Sequence, residues 1–151
     1  MNLQDYIRDI QDFPKEGIGF KDITPLLISP EATNFCLEKL VKSLENIKID
    51  KVVGVESRGF FFGTLLAQQL NAGFVPVRKP KKLPYETISA SYELEYGSDT
   101  LEMHIDAIKT GDKVLIHDAV LATGGTAKAV CELVEQLGGE IVQMNFIMEL
   151  T

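Results

Sequence analysis

Cysteine is scarce in this sequence. Among 151 residues only Cys36 and Cys131 carry a thiol. They form no CxxC pair and show no zinc-ligand spacing, which excludes a disulfide scaffold and a structural zinc site. Both fall in segments of helical periodicity and read as reduced packing residues. Positive charge is scarce too. Fifteen Lys and Arg face 22 Asp and Glu, for a net charge of −7. Broad nucleic-acid binding needs a basic face and is excluded on that ground. A small phosphorylated ligand is not, because a local cationic cluster overrides the global sign. No apolar run reaches the ~18 residues of a membrane span. The opening Met1-Asn2-Leu3-Gln4-Asp5 lacks the basic-then-apolar order of a secretory leader. The expectation is a cytoplasmic protein with neither nucleic acid nor membrane as partner.

What is present is ordinary globular material, 45% hydrophobic and 25% charged, of a length that suits one domain with its own core. A polar segment including Tyr6-Ile7-Arg8-Asp9-Ile10 reads as helical. Turn chemistry follows at Asp12-Phe13-Pro14-Lys15-Glu16-Gly17. Ser29 before Pro30 predicts a helix start, a capping hydroxyl followed by proline at the first helical position. Leu37, Leu40, Val41 and Leu44 then recur at helical spacing.

Lys51–Val55 reads as a buried strand, 56–59 as a loop and 60–71 as a helix closed by Gly73. A second strand covers 74–78, and Pro76 inside it predicts an edge position or a bulge. Ser89–Tyr96 and Thr100–His104 flank Gly97-Ser98-Asp99 and read as a β-hairpin. Lys113–Asp118 is a third core strand, 119–125 a loop, 126–137 a helix, and 140–149 a fourth strand. Buried β runs alternating with helices predict parallel strands in an α/β doubly wound layer structure. Ligands of such sheets sit beyond the strands' carboxyl ends.

Four constellations carry chemistry. An apolar strand ends in Asp118, and Ala122-Thr123-Gly124-Gly125-Thr126 leads into a helix. Glycines let backbone N–H groups approach a phosphate, and the helix N-terminus adds partial positive charge. The loop is neither a Walker A sequence nor GxGxxG. Glu56-Ser57-Arg58-Gly59 stands at another strand end, where Arg58 has the fork geometry that suits phosphate. Arg78-Lys79-Pro80-Lys81-Lys82 packs four cations into five residues, either a solvated loop or a polyanion-binding lid. Leu94-Glu95-Tyr96-Gly97 reads as a hairpin surface pair or as an acid/base reaching over the site.

Together these segments resemble the adenine phosphoribosyltransferases. The likeness runs through Asp12-Phe13-Pro14, Gly17, Phe20, Asp22-Ile23-Thr24-Pro25-Leu26-Leu27, Glu56-Ser57-Arg58-Gly59-Phe60, Pro76-Val77-Arg78-Lys79, Lys82-Leu83-Pro84, Ser91-Tyr92, Leu94-Glu95-Tyr96-Gly97 and 121–126. It spans nearly the whole chain in the family's order. The resemblance implies a type I phosphoribosyltransferase-like fold: a parallel sheet flanked by helices, with a small N-terminal hood (1–28) and an inserted loop and β-hairpin (79–105), all in one domain.

It also implies a reaction, in which adenine and 5-phosphoribosyl 1-pyrophosphate give AMP and pyrophosphate, with Mg²⁺ bound mainly through substrate. Residues 122–126 would hold the 5'-phosphate, and Asp118 would meet the ribose hydroxyls. Ser57, Arg58, Arg78, Lys79 and Lys82 would meet pyrophosphate, and the Glu56–Ser57 peptide would be cis. Gly19, Phe20 and Lys21 would read adenine, Glu95 would handle the purine proton with Tyr96 beside it, and the protein would be a homodimer.

Two departures stand out. The family usually places two adjacent acids before Leu-Ala-Thr-Gly-Gly-Thr, and here the second position is Ala119, which implies a missing ribose or Mg²⁺-linked contact. His117 is expected to face the other side of the sheet. The family also usually continues past the position of Thr151 with another strand. The alternative reading is therefore an impaired AMP- or phosphoribosyl-pyrophosphate-binding protein on the same fold, and a third is a transferase for another purine or for orotate.

Overall fold

The structure is a computed structural model that describes residues 1–94, 97–121 and 124–149. The chain forms two compact units, Met1–Ser43 and Leu44–Thr151.

The first unit opens with a 3-10 turn, Leu3–Tyr6, begun by the Asn2 side chain, which accepts the Gln4 N–H. Strand β1 (Arg8–Ile10) then pairs antiparallel with β2 (Phe20–Asp22). The stretch read as helical from Tyr6 to Ile10 is thus a turn and a strand. Its charges explain the outcome: Arg8 stands opposite Asp22, Asp9 opposite Lys21, and both cross-strand pairs form ion pairs. Between the strands the Phe13–Pro14 bond is cis, and the Asp12 carboxylate accepts the Gly17 N–H at 2.8 Å. The Phe13 and Phe20 rings meet edge to face with centroids 5.0 Å apart.

A short helix α1 (Thr24–Leu27) is followed by α2 (Pro30–Lys42). Ser29 caps α2 by accepting the Ala32 N–H at 3.1 Å. Glu31 in its first turn and Lys39 and Lys42 in its last complement the helix dipole. Cys36 is buried here, and burial pushes its thiol up to about 11, the state of an inert packing residue.

The second unit holds the sheet. Strands β3 (Lys51–Val55), β4 (Gly73–Val77), β7 (Lys113–Leu121) and β8 (Glu140–Glu149) are parallel and ordered β4-β3-β7-β8. Helix α3 (Arg58–Gln69) packs on β3, β4 and β7. Helix α4 (Gly125–Gln136) packs on β7 and β8 together with a hairpin, β5 (Thr87–Leu94) and β6 (Gly97–His104). Pro76 lies in β4, an edge strand, where its missing N–H costs no ladder bond on the open side.

Several boundaries differ from the sequence reading. Helix α3 ends at Gln69, and Asn71, with φ +52°, reverses the chain before Gly73 enters β4. Hairpin pairing runs to Leu94 opposite Gly97, so Gly97, Ser98 and Asp99 are strand residues rather than the turn. Strand β7 continues through Leu121, because β8 offers partners as far as Glu149.

The strand alternation of β7 decides what faces the site. Val114 and Ile116 join the core shared with α4 and the hairpin, alongside Val53, Val77, Met103 and Leu133. Leu115, His117 and Ala119 alternate with them onto the opposite face, and all three are buried.

Candidate active site

Because the four strands are parallel, the carboxyl ends of β3, β4 and β7 share one rim, the place such sheets reserve for ligands. A cavity of about 290 Å³ opens there. Glu56 and Arg58 reach it from the end of β3 and the start of α3. Lys79 comes from just beyond β4, and Asp118, Val120 and Leu121 from β7. Gly124, Thr126 and Ala127 come from the start of α4, and Tyr92 and Leu101 from the hairpin. Of the residues expected at the site, the structure brings Arg58, Lys79, Asp118, Gly124 and Thr126 around one space.

Glu56 organises the cationic side of that rim. Its Oε1 accepts Arg78 Nε at 2.9 Å and the Lys79 backbone N–H at 3.1 Å, while Oε2 stands 3.2 Å from Lys82 Nζ. Burial pushes its carboxyl upward, but the Lys79 N–H, Lys82 and Arg78 together outweigh burial and hold it below the usual range. Arg78 also lies over the Phe60 ring, 5.9 Å from its centroid, and bridges to Glu102 through both backbone groups. Two of the four cations of that run, Arg78 and Lys82, are therefore held by one carboxylate. Ser57 is exposed, is the N-cap of α3, and follows a cis Glu56–Ser57 bond.

Asp118 is an acid on the cavity wall at the end of β7. Burial pushes its carboxyl up to about 6, and the Ala119 N–H, at 2.7 Å from Oδ1, and the charge of Arg58 only partly offset this. Gly59 makes room for it: a Cβ there would lie 3.1 Å from the His117 carbonyl and 3.2 Å from Asp118 Oδ1. Ala119 is fully buried and does not line the cavity. The gap in sugar contacts expected at this position is thus not visible on the cavity wall, since alternation turns its Cβ to the face of Leu115 and His117. His117 lies on that face, as expected, with Nδ1 2.7 Å from Asn145 Oδ1. Burial lowers its basicity, and His117 Nε2 and Asn145 Nδ2 find no partner among the described residues.

At the third side, Gly124 takes φ +86° and delivers the chain into α4. The N-terminus of that helix, with its partial positive charge, opens on the cavity through Gly124, Thr126 and Ala127. The Tyr92 hydroxyl, from the hairpin, donates to Asp99 Oδ2 at 3.3 Å. Asp99 Oδ2 also lies 3.8 Å from Lys79 Nζ.

Glu95, Tyr96, Ala122 and Thr123 lie outside the described residues. Gly19, Phe20 and Lys21 belong to the first unit, on and just before β2, where Lys21 pairs with Asp9.

The family described as phosphoribosyl transferase domain matches residues 23–149. A curated relative, the adenine phosphoribosyltransferase of Flavobacterium johnsoniae, is 78% identical over all 151 residues and 89% of its own length. The chain is an adenine phosphoribosyltransferase family member. Among solved structures, the adenine phosphoribosyltransferase of Rhodothermus marinus superposes with a TM-score of 0.95 at 58% identity, covering 98% of this chain and 84% of that one. The Saccharomyces cerevisiae adenine phosphoribosyltransferase, complexed with an imino-altritol bisphosphate and adenine, gives 0.91 at 45% identity, covering 98% and 86%. The type I fold expected of the sequence is the fold observed.

Within this adenine phosphoribosyltransferase chain, sequence reasoning missed Glu56, Tyr92 and Asp99 as organisers. The signal for Glu56 was present: four cations in five residues on an acidic protein need a counter-charge, and an acid at a neighbouring strand end supplies it. Tyr92 and Asp99 become visible only once the hairpin register sets one opposite the other.

Proposed function

We propose that the chain transfers the 5-phosphoribosyl group of 5-phosphoribosyl 1-pyrophosphate to adenine, giving AMP and pyrophosphate. One observation carries the reading beyond family membership: a single cavity joins a helix N-terminus with Thr126, an acid at a strand end, and the cations Arg58 and Lys79. These match, in order, a phosphate, vicinal sugar hydroxyls and a diphosphate. In the reaction the purine N9 bonds to the sugar C1 as the C1–O bond to pyrophosphate breaks, and the N9 proton passes to a base. Residues 122–126 hold the 5'-phosphate, and Asp118 accepts the ribose hydroxyls. Ser57, Arg58, Arg78, Lys79 and Lys82 stabilise the charge that develops on the departing diphosphate. Glu95, with Tyr96 beside it, takes the proton, and Gly19, Phe20 and Lys21 read the base.

Mg²⁺ fits this donor set. Glu56 is already committed to cations, which leaves Asp118 and the substrate's own oxygens to hold the ion, the mode Mg²⁺ favours with phosphate ligands. When bound, the ion would supply charge neutralisation on the diphosphate. Lys82, released from Glu56, closes over the diphosphate and excludes water.

No described helix is long and apolar enough to cross a membrane. A cytoplasmic homodimer is the state that fits the family reading, and equilibrium sedimentation tests the dimer. Specificity for adenine is tested by base competition: adenine is expected to outrun hypoxanthine, guanine and orotate, and the reverse order would overturn the assignment.

A further inference from the structure

We propose that Glu102 is a positioning residue for Lys82, its carboxylate fixing the strained turn from which that lysine reaches the diphosphate. The inference rests on the function proposed above and deepens it.

The turn lies within the lysine run. Pro80 and Lys81 form it, and Lys81 takes φ +69°. Proline followed by a left-handed residue is the order of a type II turn, whose left-handed position suits glycine. A residue with a side chain persists there only when its surroundings hold it. Pro80 has no N–H to contribute. The Lys81 N–H donates to Glu102 Oε1 at 3.2 Å. Lys82 follows directly, so this turn sets the point from which its side chain leaves the backbone.

Glu102 is a firm point to hold the turn from. It lies on β6 between Leu101 and Met103, both buried in the core, and Leu101 also lines the cavity. Its backbone exchanges two hydrogen bonds with Arg78, at 3.0 and 2.7 Å. The run is thus fastened on both sides of Pro80. Before it, Glu56 accepts Arg78 Nε and the Lys79 N–H; after it, Glu102 accepts the Lys81 N–H. The two carboxylates have different tasks. Glu56 holds the Lys82 ammonium at 3.2 Å and must release it before the lysine can meet the diphosphate. The Glu102 bond is to backbone, so it persists when Lys82 leaves. Lys82 then swings as a side chain on a turn that stays in place, and no backbone freedom has to be lost again at each closure.

The experiment is steady-state AMP formation by the full chain, with AMP titration beside it. Glu102→Ala should lower turnover about threefold to tenfold, the worth of one hydrogen bond, and leave AMP affinity within about twofold of wild type. Glu102→Gln keeps an oxygen acceptor without the charge and should recover most of that loss. Lys81→Gly, which takes a left-handed turn at no steric cost, should restore turnover to Glu102→Ala. In a Lys82→Ala background, Glu102→Ala should cost less than about twofold more, because the turn then has no lysine to place. Glu102→Met keeps the side chain's length without a carboxylate and carries the comparison if Glu102→Ala folds poorly. Unchanged turnover in these variants, or a loss of the same size with and without Lys82, overturns the positioning role and leaves transfer standing. An equal loss in the Gln and Ala variants assigns the effect to charge and overturns it too. A wild type that forms no AMP overturns the proposed function, and the inference with it.

Discussion

At the residue scale two acids of the rim respond to pH in opposite directions. Asp118 is raised to about 6 by burial, so between roughly pH 4 and 6 the folded chain binds more protons there than the unfolded chain does, and stability falls as pH rises through that window. Asp118→Asn should therefore be more stable than wild type at neutral pH, by an amount on the order of 2 kcal/mol, read from urea midpoints at pH 7.5. Its activity should fall at least about tenfold, because in the proposed function the sugar loses an ionised acceptor. In the wild type kcat/KM should decline as pH drops through 6, and the variant should lack that limb. Glu56 is held below its usual range, so its contribution is present above about pH 4.5 and fades as pH falls. On the far face of β7, Asn145→Leu removes the hydrogen bond to the buried His117 and should cost about 1–3 kcal/mol. A second change, His117→Leu, should recover most of that loss, since two orphaned polar atoms vanish with the pair. Thermal unfolding of the single and double variants checks it.

At the element scale the join of β3, α3 and β4 depends on two glycines lying under one ring. A Cβ on Gly54 would meet the Phe74 ring at 2.7 Å and the Gly59 carbonyl at 2.9 Å, and one on Gly63 would meet the same ring at 2.8 Å. Gly63→Ala should cost about 1–3 kcal/mol by overpacking. Gly54→Ala should cost more, because backbone stands in its way and cannot shift as a side chain does. Gly19→Ala, with open space around it and no left-handed backbone, should stay within about 0.5 kcal/mol. Denaturant midpoints rank the three, and an inverted order would contradict the packing argument. Elements whose signals are local were legible in the sequence: the Ser29-Pro30 start of α2, the apolar runs of β3 and β7, and the edge position announced by Pro76. Elements decided by a distant partner were not. Arg8–Ile10 became strand through pairing with Phe20–Asp22, and β7 outran its apolar run because β8 extends beside it.

At the scale of the whole molecule, the active-site residues come from chain segments far apart in sequence, so their grouping follows from sheet order rather than from any motif. Family resemblance located Arg58, Lys79, Asp118 and Thr126, and the parallel β4-β3-β7-β8 order explains why they meet at one rim. Glu56 escaped because a carboxylate among phosphate-binding residues reads as a liability until its three partners are seen. Its hold on Lys82 frames a further test. Lys82→Ala should lower turnover more than it lowers AMP affinity, because in the proposed function the lysine leaves Glu56 to cover the diphosphate. Equal losses in steady-state rate and in AMP titration would remove Lys82 from that role. The central claim is transfer itself, and Ala119 makes it a pointed one. The purified full chain, given adenine, 5-phosphoribosyl 1-pyrophosphate and Mg²⁺, should form AMP and pyrophosphate in equal amounts over many turnovers. Tight binding of both ligands with no AMP formed, and turnover appearing only in Ala119→Asp, would contradict it.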